Sequence, residues 1–291
     1  MNLQLLRVFV AVVDARSFSR AAQALGVSQP AVSKSVRELE SQLETVLLER
    51  QARAFEPNEA GQVLYDYGRS IFALEREAQE AISAFYGLER GRLTIGASTT
   101  IATYWLPPYL VEFGRRHPHL DVVLQSANTQ QIIERLIDCE LDVALVEGHV
   151  ADARVEARPW LNEEMVVVAP GRSHGGAPLP ERPLGEQVWV VRERGSGSRE
   201  ATDALLARLG DQQPATVEVG SNEAVVQTVA AGGGLGLVPR VCARDQLEFG
   251  RVQAVQLTQE PIRRQLYRVR LPHRVISHAA LDFEALIADS G

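Results

Sequence analysis

The chain has 291 residues, enough for roughly two domains, and its 45% hydrophobic and 23% charged residues suit ordinary globular cores. No apolar run approaches the ~20 residues of a membrane span, and the run at residues 8–13 is shorter than the ~7–15 residues of a signal-peptide core. The reading is therefore a cytoplasmic protein without a membrane partner. A net charge of −7 does not suit nucleic acid binding over the whole surface, but it leaves room for one small domain to bind it.

Cys139 and Cys242 stand far apart, and the six histidines are scattered without metal-ligand spacing. The expectation is two isolated structural thiols, no metal site and no cofactor.

At the N-terminus, Leu3, Leu6, Phe9, Val10 and Val13 recur at helical spacing and predict an amphipathic first helix. Ser17 offers a cap for a short second helix that ends at Gly26, which supplies the positive φ of a tight turn. Ser28 is placed to cap a third helix with Pro30 in its first turn. On that helix Val32, Val36, Leu39 and Leu43 form the core-facing stripe. Gln29, Ser33 and Arg37 form a second, polar stripe, with Pro30 and Lys34 beside it. A polar surface of this kind suits the major groove, where Gln pairs with adenine and Lys or Arg with guanine or phosphate. A solvated face on an ordinary helical bundle is the competing reading. Residues 1–60 carry seven basic and seven acidic side chains, so the segment is neutral while the rest of the chain is acidic.

The stretch from Phe18 to Glu40, Phe-Ser-Arg-Ala-Ala-Gln-Ala-Leu-Gly-Val-Ser-Gln-Pro-Ala-Val-Ser-Lys-Ser-Val-Arg-Glu-Leu-Glu, closely resembles the winged helix-turn-helix of LysR-type transcriptional regulators. The resemblance extends in length and layout over the whole chain. It implies a wing at residues 47–55, with Arg50 and Arg53 on the DNA backbone or in the minor groove. Leu48 stands where the family usually has Phe, and Pro57-Asn58 where it has Leu-Thr; Asn58 still serves as a cap for the next helix.

Residues 58–88 hold no proline, and Leu64, Tyr67, Ile71, Leu74, Ala78, Ala81, Phe85 and Leu88 follow a 3-4 spacing. Such a heptad seam predicts a long helix paired with a second copy, which would set two DNA-reading heads side by side.

After Gly91, strands are predicted at 93–97, 121–125, 143–146, 165–169, 188–191, 216–219, 235–238 and 266–269, and helices at 101–116, 129–139, 199–209, 222–231 and 279–288. The alternation predicts α/β layers with largely parallel sheets. Ligands of such sheets bind at the carboxyl ends of strands. Two loops there carry hydroxyls into a helix start: Ser98-Thr99-Thr100, and the run from Arg192 to Arg199 with Ser196 and Ser198. Both suit a small anion; a plain helix cap is the competing reading of each, and for Ser98–Thr100 alone the two readings are even. The second loop lacks the lysine of a phosphate-binding loop. The glycine run from Ala231 to Gly236 follows a helix and precedes a strand, the reverse of a dinucleotide fingerprint, and reads as a helix stop and turn.

The resemblance implies an effector domain similar to type 2 periplasmic binding proteins, with two Rossmann-like subdomains and a ligand between them. The expected layout is a multidomain chain. Residues 1–58 form an all-α winged helix-turn-helix and 59–90 a dimerisation helix. Residues 91–291 form the α/β effector domain, with subdomain I at 91–162 and 267–291 and subdomain II at 163–266. Candidate effector contacts are Ser98, Thr99, Thr100, Thr129, Ser196, Ser198 and Arg199. The Arg-Glu-x-Gly-Ser-Gly-Ser-Arg stretch is similar to members that regulate sulfur, nitrogen or carbon assimilation. The implied partners are double-stranded DNA with a pseudo-palindromic site, a small-molecule effector, a second copy of the chain within a homotetramer, and RNA polymerase. An enzyme built on the binding-protein fold is disfavoured because no paired carboxylates or nucleophile–base set recurs at usable spacing. A solute receptor is disfavoured by the N-terminal helices.

Overall fold

The computed structural model describes residues 2–49, 56–85, 91–171, 183–210, 214–257, 260–272, 274 and 276–288. They divide into two compact units, Met1–Ile82 and Ser83–Gly291.

The first unit opens with α1 (Leu3–Ala15), α2 (Phe18–Leu25) and α3 (Gln29–Gln42). Leu6, Phe9 and Val10 are buried as the spacing predicts, but Leu5 and Val12 complete the buried face while Leu3 is half exposed. Asn2 starts the helix, its side chain accepting from Gln4 N–H at 2.8 Å. The Ser17 hydroxyl caps α2, and Gly26 ends it at φ +66. A Cβ there would meet no neighbour, so backbone conformation alone favours glycine. Ser28 holds the cap position of α3 but makes no capping bond with its side chain, a departure from expectation.

The long helix α4 runs Glu59–Phe85 and is started by Asn58, whose Oδ1 accepts from Gly61 N–H at 2.9 Å. Its expected seam splits. Leu64 and Ile71 pack on the three-helix core, together with Tyr65 and Phe72. Tyr67 and Leu74 stand exposed, and so do Val63 and Ile82. The helix is thus held to its own domain on one side, by Arg7 pairing with Glu75 and by Tyr65 donating to Asp14. The surroundings of Ala81, Phe85 and Leu88 lie outside the described residues.

The second unit is built on a curled mixed sheet in the order β2 (Asp121–Ala127), β1 (Arg92–Ser98), β3 (Val143–Glu147), β9 (Ile262–Arg270), β4 (Glu156–Pro170) and β7 (Gly236–Pro239), with β8 (Val252–Val255) also on β4. A second small sheet pairs β5 (Trp189–Arg192) with β6 (Thr216–Val219). The helices are α5 (Pro107–Arg116), α6 (Thr129–Ile137), α7 (Gly197–Leu209), α8 (Asn222–Ala230), α9 (Arg240–Glu248) and α10 (His278–Ala288).

The expectation of largely parallel sheets is corrected. β1–β2, β1–β3 and β5–β6 are parallel, whereas β3–β9 and every pairing of β4 are antiparallel. β4 carries the chain from one apolar core to another and β9 brings it back, so the two must run in opposite directions. Both strands carry charged or polar residues through much of their length, and the sequence pattern therefore registered only their apolar ends. α9 and β8 escaped it too, being short and carrying charged or polar residues. The expected helix at 101–116 begins as a wide π-turn over Ile101–Trp105, closed by Leu106 N–H on Ile101 O at 3.0 Å, before α5 starts at Pro107. The glycine run ends α8 and turns the chain with Gly232 and Gly234 at positive φ, as read from sequence.

The apolar clusters fall into two groups. Two clusters join residues 93–161 to 266–287, one around Ile95 and Phe283 and one around Ile132 and Val146; two others lie within 165–262, around Val190 and Trp189. Between the two groups lies a seam of buried polar residues.

Candidate functional site

In the first unit, α2, the Gly26 turn and α3 present one face of α3 outward. Val32, Val36 and Leu39 are buried beneath it, while Gln29, Pro30, Lys34 and Arg37 are exposed and Ser33 is half buried. Ser33 ties the stripe together: Gln29 Nε2 donates to its hydroxyl at 2.9 Å, and Arg37 Nε donates to its carbonyl at 3.1 Å. Both long side chains thereby lie along the helix surface with further N–H groups left to point outward. A hollow of about 360 Å³ opens beside them, bounded by Ser17, Phe18 and Ser19 at the start of α2 and by Gln29 and Arg37 on α3. Ser17 and Ser19 were not singled out from sequence beyond the capping role of Ser17. The base of the wing is present as an antiparallel bridge, Leu48 with Pro57, and Glu49 N–H donates to Glu56 O at 2.9 Å. Arg50 and Arg53 lie outside the described residues.

In the second unit the parallel pairing of β1 with β3 sets their carboxyl ends side by side, so that Ser98 and Glu147 are neighbours. The Ser98 hydroxyl donates to Glu147 Oε2 at 2.9 Å. From the opposite apolar group, Ser198 in the first turn of α7 donates to Glu147 Oε1 at 3.3 Å. Thr129, at the start of α6, donates to the Glu147 carbonyl at 2.9 Å. Asn222, at the start of α8, donates to Thr100 Oγ1 at 2.8 Å and to Ser198 Oγ at 3.0 Å. The two hydroxyl loops picked out by sequence thus meet in one buried seam.

Not every expected residue points there. Ser196 is buried as the cap of α7, its hydroxyl accepting from Ser198 N–H. Thr99 meets Arg192 Nη1 at 3.4 Å. The Arg199 guanidinium turns to Asp203, Glu218 and the Arg192 carbonyl instead, so it braces α7 against β5 and β6.

Sequence reasoning missed the charges at the centre of the seam. Arg264, on β9, donates through Nη2 to Glu147 Oε2 at 3.1 Å, through Nε to Glu163 Oε2 at 2.6 Å and through Nη1 to Ser198 Oγ at 2.9 Å. Trp105 Nε1 donates to Glu163 Oε1 at 2.7 Å. Both carboxylates and the guanidinium are buried. Burial lifts the Glu163 carboxyl above the ordinary carboxylate range, against the opposing pull of Arg264 and the Trp105 N–H. Burial also works against the Arg264 charge, yet the two carboxylates outweigh it and hold its proton more tightly than usual. One signal for Glu147 was in the sequence: an acid closing the apolar run Val-Ala-Leu-Val at a strand's carboxyl end, where α/β proteins place their sites.

Both cysteines are buried, and burial first, then nearby Glu223, pushes the Cys242 thiol up, which keeps it protonated. No group of potential metal ligands occurs among the described residues. No helix among them is long and apolar enough to cross a membrane.

Residues 3–62 match the bacterial regulatory helix-turn-helix model of the lysR family, and residues 87–291 match the LysR substrate binding domain. The chain belongs to the LysR family. LysR-type members are DNA-binding transcriptional regulators and not enzymes, and this chain is one of them, with an N-terminal helix-turn-helix and an α/β effector domain. It is 31% identical over 274 residues to the HTH-type transcriptional regulator CysL of Bacillus subtilis, covering 94% of this chain and 92% of that one. The regulatory domain of Synechocystis CcmR, solved in complex with 2-PG, matches with a TM-score of 0.61 at 26% identity, over 69% of this chain and 97% of that one. Full-length CbnR, solved with its target DNA, shares the fold with a TM-score of 0.67 at 20% identity, each chain covered in full.

Proposed function

We propose that this LysR-type regulator reads a pseudo-palindromic operator with Gln29, Pro30, Ser33, Lys34 and Arg37, aided by Arg50 and Arg53 in the wing. Two copies pair through the exposed stripe of α4, which sets two reading heads at a fixed spacing, and dimers associate into a homotetramer. DNA and RNA polymerase as partners put the protein in the cytoplasm. A small anionic metabolite enters the seam between residues 91–162 with 267–291 and residues 163–266. Ser98, Thr100 and Ser198 hold it, with Thr99, Thr129 and Ser196 shaping the surround and Arg199 bracing α7. Bound ligand favours one closure of the seam over another, which alters how the paired heads sit on DNA.

The observation that carries this reading is the convergence of the Ser98 and Ser198 hydroxyls, from separate apolar groups, within 3.3 Å of one carboxylate. Fold kinship to the CcmR regulatory domain, solved in complex with 2-PG, supports a small-molecule effector for this domain. The test is a thermal-shift screen of small anionic metabolites on the full chain, followed by operator-DNA anisotropy with each hit. Hits whose binding disappears in Ser98→Ala or Ser198→Ala put the ligand in the seam. Tight hits indifferent to both changes refute the placement.

A further inference from the structure

The end of β3 holds a chemical surplus. Arg264 is already paired with Glu163, which stands opposite it in the β4–β9 pairing and accepts from Nε at 2.6 Å. Glu147 adds a second buried carboxylate to the same guanidinium. A buried charge without partners is costly, so Glu147 requires donors, and it has three. They come from separate elements: Ser98 closing β1, Ser198 in the first turn of α7, and Arg264 on β9. Two hydroxyls and a guanidinium beside a helix start are what a small free carboxylate or oxyanion needs. Nothing in that donor set depends on the acid being tethered to β3. Room at the seat is also tight. A Cβ on Gly197 would lie 2.4 Å from the Glu147 carbonyl oxygen, so α7 closes directly onto the end of β3.

We infer that these donors form an anion seat and that Glu147 occupies it in place of the effector's acidic group. The chain carries its own competing ligand. This rests on the seam reading given above and deepens it: the effector presents one carboxylate or compact oxyanion, seated on Ser98, Ser198 and Arg264, and the Glu147 carboxylate leaves as it enters. A tethered competitor acts at a high effective concentration, so the apparent affinity for the effector is set low by the fraction of time the seat is vacant. Removing the competing charge must tighten anion binding.

The test uses the full chain and sodium acetate, a free carboxylate, against sodium chloride at equal ionic strength. Glu147→Ala vacates a space of acetate's size. Acetate should then raise the effector-domain melting temperature saturably, by about 3–6 °C at ten times its Kd, with no such rise in the wild type over the same range. The rise should vanish when Ser98→Ala and Ser198→Ala are added. A Glu147→Ala response equal to that in chloride overturns the inference, and so does a rise that survives loss of both hydroxyls. If Glu147→Ala does not fold, the isosteric Glu147→Gln serves in calorimetric titration. It should bind acetate at least about tenfold more tightly than the wild type, and equal affinity overturns the inference. The two readings fail separately. Metabolite hits that depend on Ser98 without any acetate rescue remove only the self-ligand. Acetate rescue alongside hits indifferent to Ser98 and Ser198 removes only the placement of the effector.

Discussion

Glu163 and Arg264 face each other across the antiparallel pairing of β4 and β9, joined by a 2.6 Å hydrogen bond from Nε to Oε2. These are the two strands that pass between the apolar group around Ile95 and the group around Val190. The ion pair therefore sits on the crossing itself, and through Trp105 and Glu147 it touches the ends of the π-turn and β3. A change in the angle between the two groups must be felt at this network, because its members come from both sides.

Arg264→Met should be among the most destabilising single changes in the effector domain. It strands two buried carboxylates, and breaking a buried pair from one side costs about 3–5 kcal/mol. Adding Glu147→Gln and Glu163→Gln removes the stranded charges, and much of the loss should return, because a neutral set of similar volume has no uncompensated ion. Chemical denaturation of the three proteins, monitored in the effector domain, checks this. A triple variant no more stable than Arg264→Met alone contradicts it.

The same network gives a pH dependence with a definite sign. Burial raises the Glu163 carboxyl in the folded chain above its unfolded value of about 4.3. The folded state then binds the proton more readily than the unfolded one. The contribution of Glu163 to stability is fully present below the unfolded pKa and is lost as pH rises through the raised folded value. Glu163→Gln does not titrate. The stability of the wild type relative to Glu163→Gln should therefore fall as pH rises from about 4.3 through the raised folded value, as read from melting curves of both proteins at successive pH. A difference that grows with pH would falsify the assignment.

Gly197→Ala should disturb the seam without touching DNA-reading residues. The new Cβ would lie 2.4 Å from the Glu147 carbonyl oxygen and 2.7 Å from its Cγ, so α7 or β3 must shift. Overpacking of this kind costs about 1–3 kcal/mol. The expected outcome is a lowered effector-domain melting temperature and a blunted response to any seam ligand, with operator affinity in the absence of ligand kept. Loss of DNA binding alone, with a normal ligand response, would contradict the placement of α7.

How much of this was legible in the sequence follows from what each residue does locally. The turn at Gly26, the caps at Ser17 and Asn58 and the buried stripe of α3 are set by near neighbours, and the pattern showed them. The loops at Ser98 and Ser198 were found because hydroxyls at helix starts leave a local mark. Glu147, Glu163 and Arg264 were missed because Arg264 lies more than 100 residues from both carboxylates, and a charged residue in a strand reads as solvent-facing. The α4 seam was half read. A 3-4 repeat cannot tell which apolar residue faces a partner and which faces its own domain, and Leu64 and Ile71 belong to the latter.

On α3, Arg37 and Lys34 should behave differently. Arg37 Nε is engaged by the Ser33 carbonyl, which fixes the start of the side chain and aims its remaining N–H groups. If Arg37 reads a base, Arg37→Ala should cost about 1–3 kcal/mol of binding and relax the preference at one operator position. If Lys34 meets a phosphate, Lys34→Ala should weaken binding evenly across sequences and reduce the salt slope by about one. Anisotropy titrations against an operator and its single-base variants, at several salt concentrations, separate the two. Unchanged discrimination in Arg37→Ala removes it from the reading face.

The exposed stripe on α4 is apolar along most of its length. Tyr67 is 67% and Leu74 51% exposed, with Val63 and Ile82 similarly open on the same helix. Apolar residues at this spacing along a 27-residue helix leave a strip uncovered, and under the proposed operator with two half-sites its occupant is a second copy. Tyr67→Lys with Leu74→Lys places two like charges on each strip without entering the core formed by Leu64, Ile71 and Phe72. The folded domain should persist by circular dichroism while light scattering shows a smaller assembly. Operator affinity should fall by about 10²–10⁴-fold, because each head then binds its half-site without the effective concentration that pairing provides. A variant that keeps the wild-type mass would show that copies meet elsewhere, and one that dissociates with operator affinity intact would show that a single head suffices.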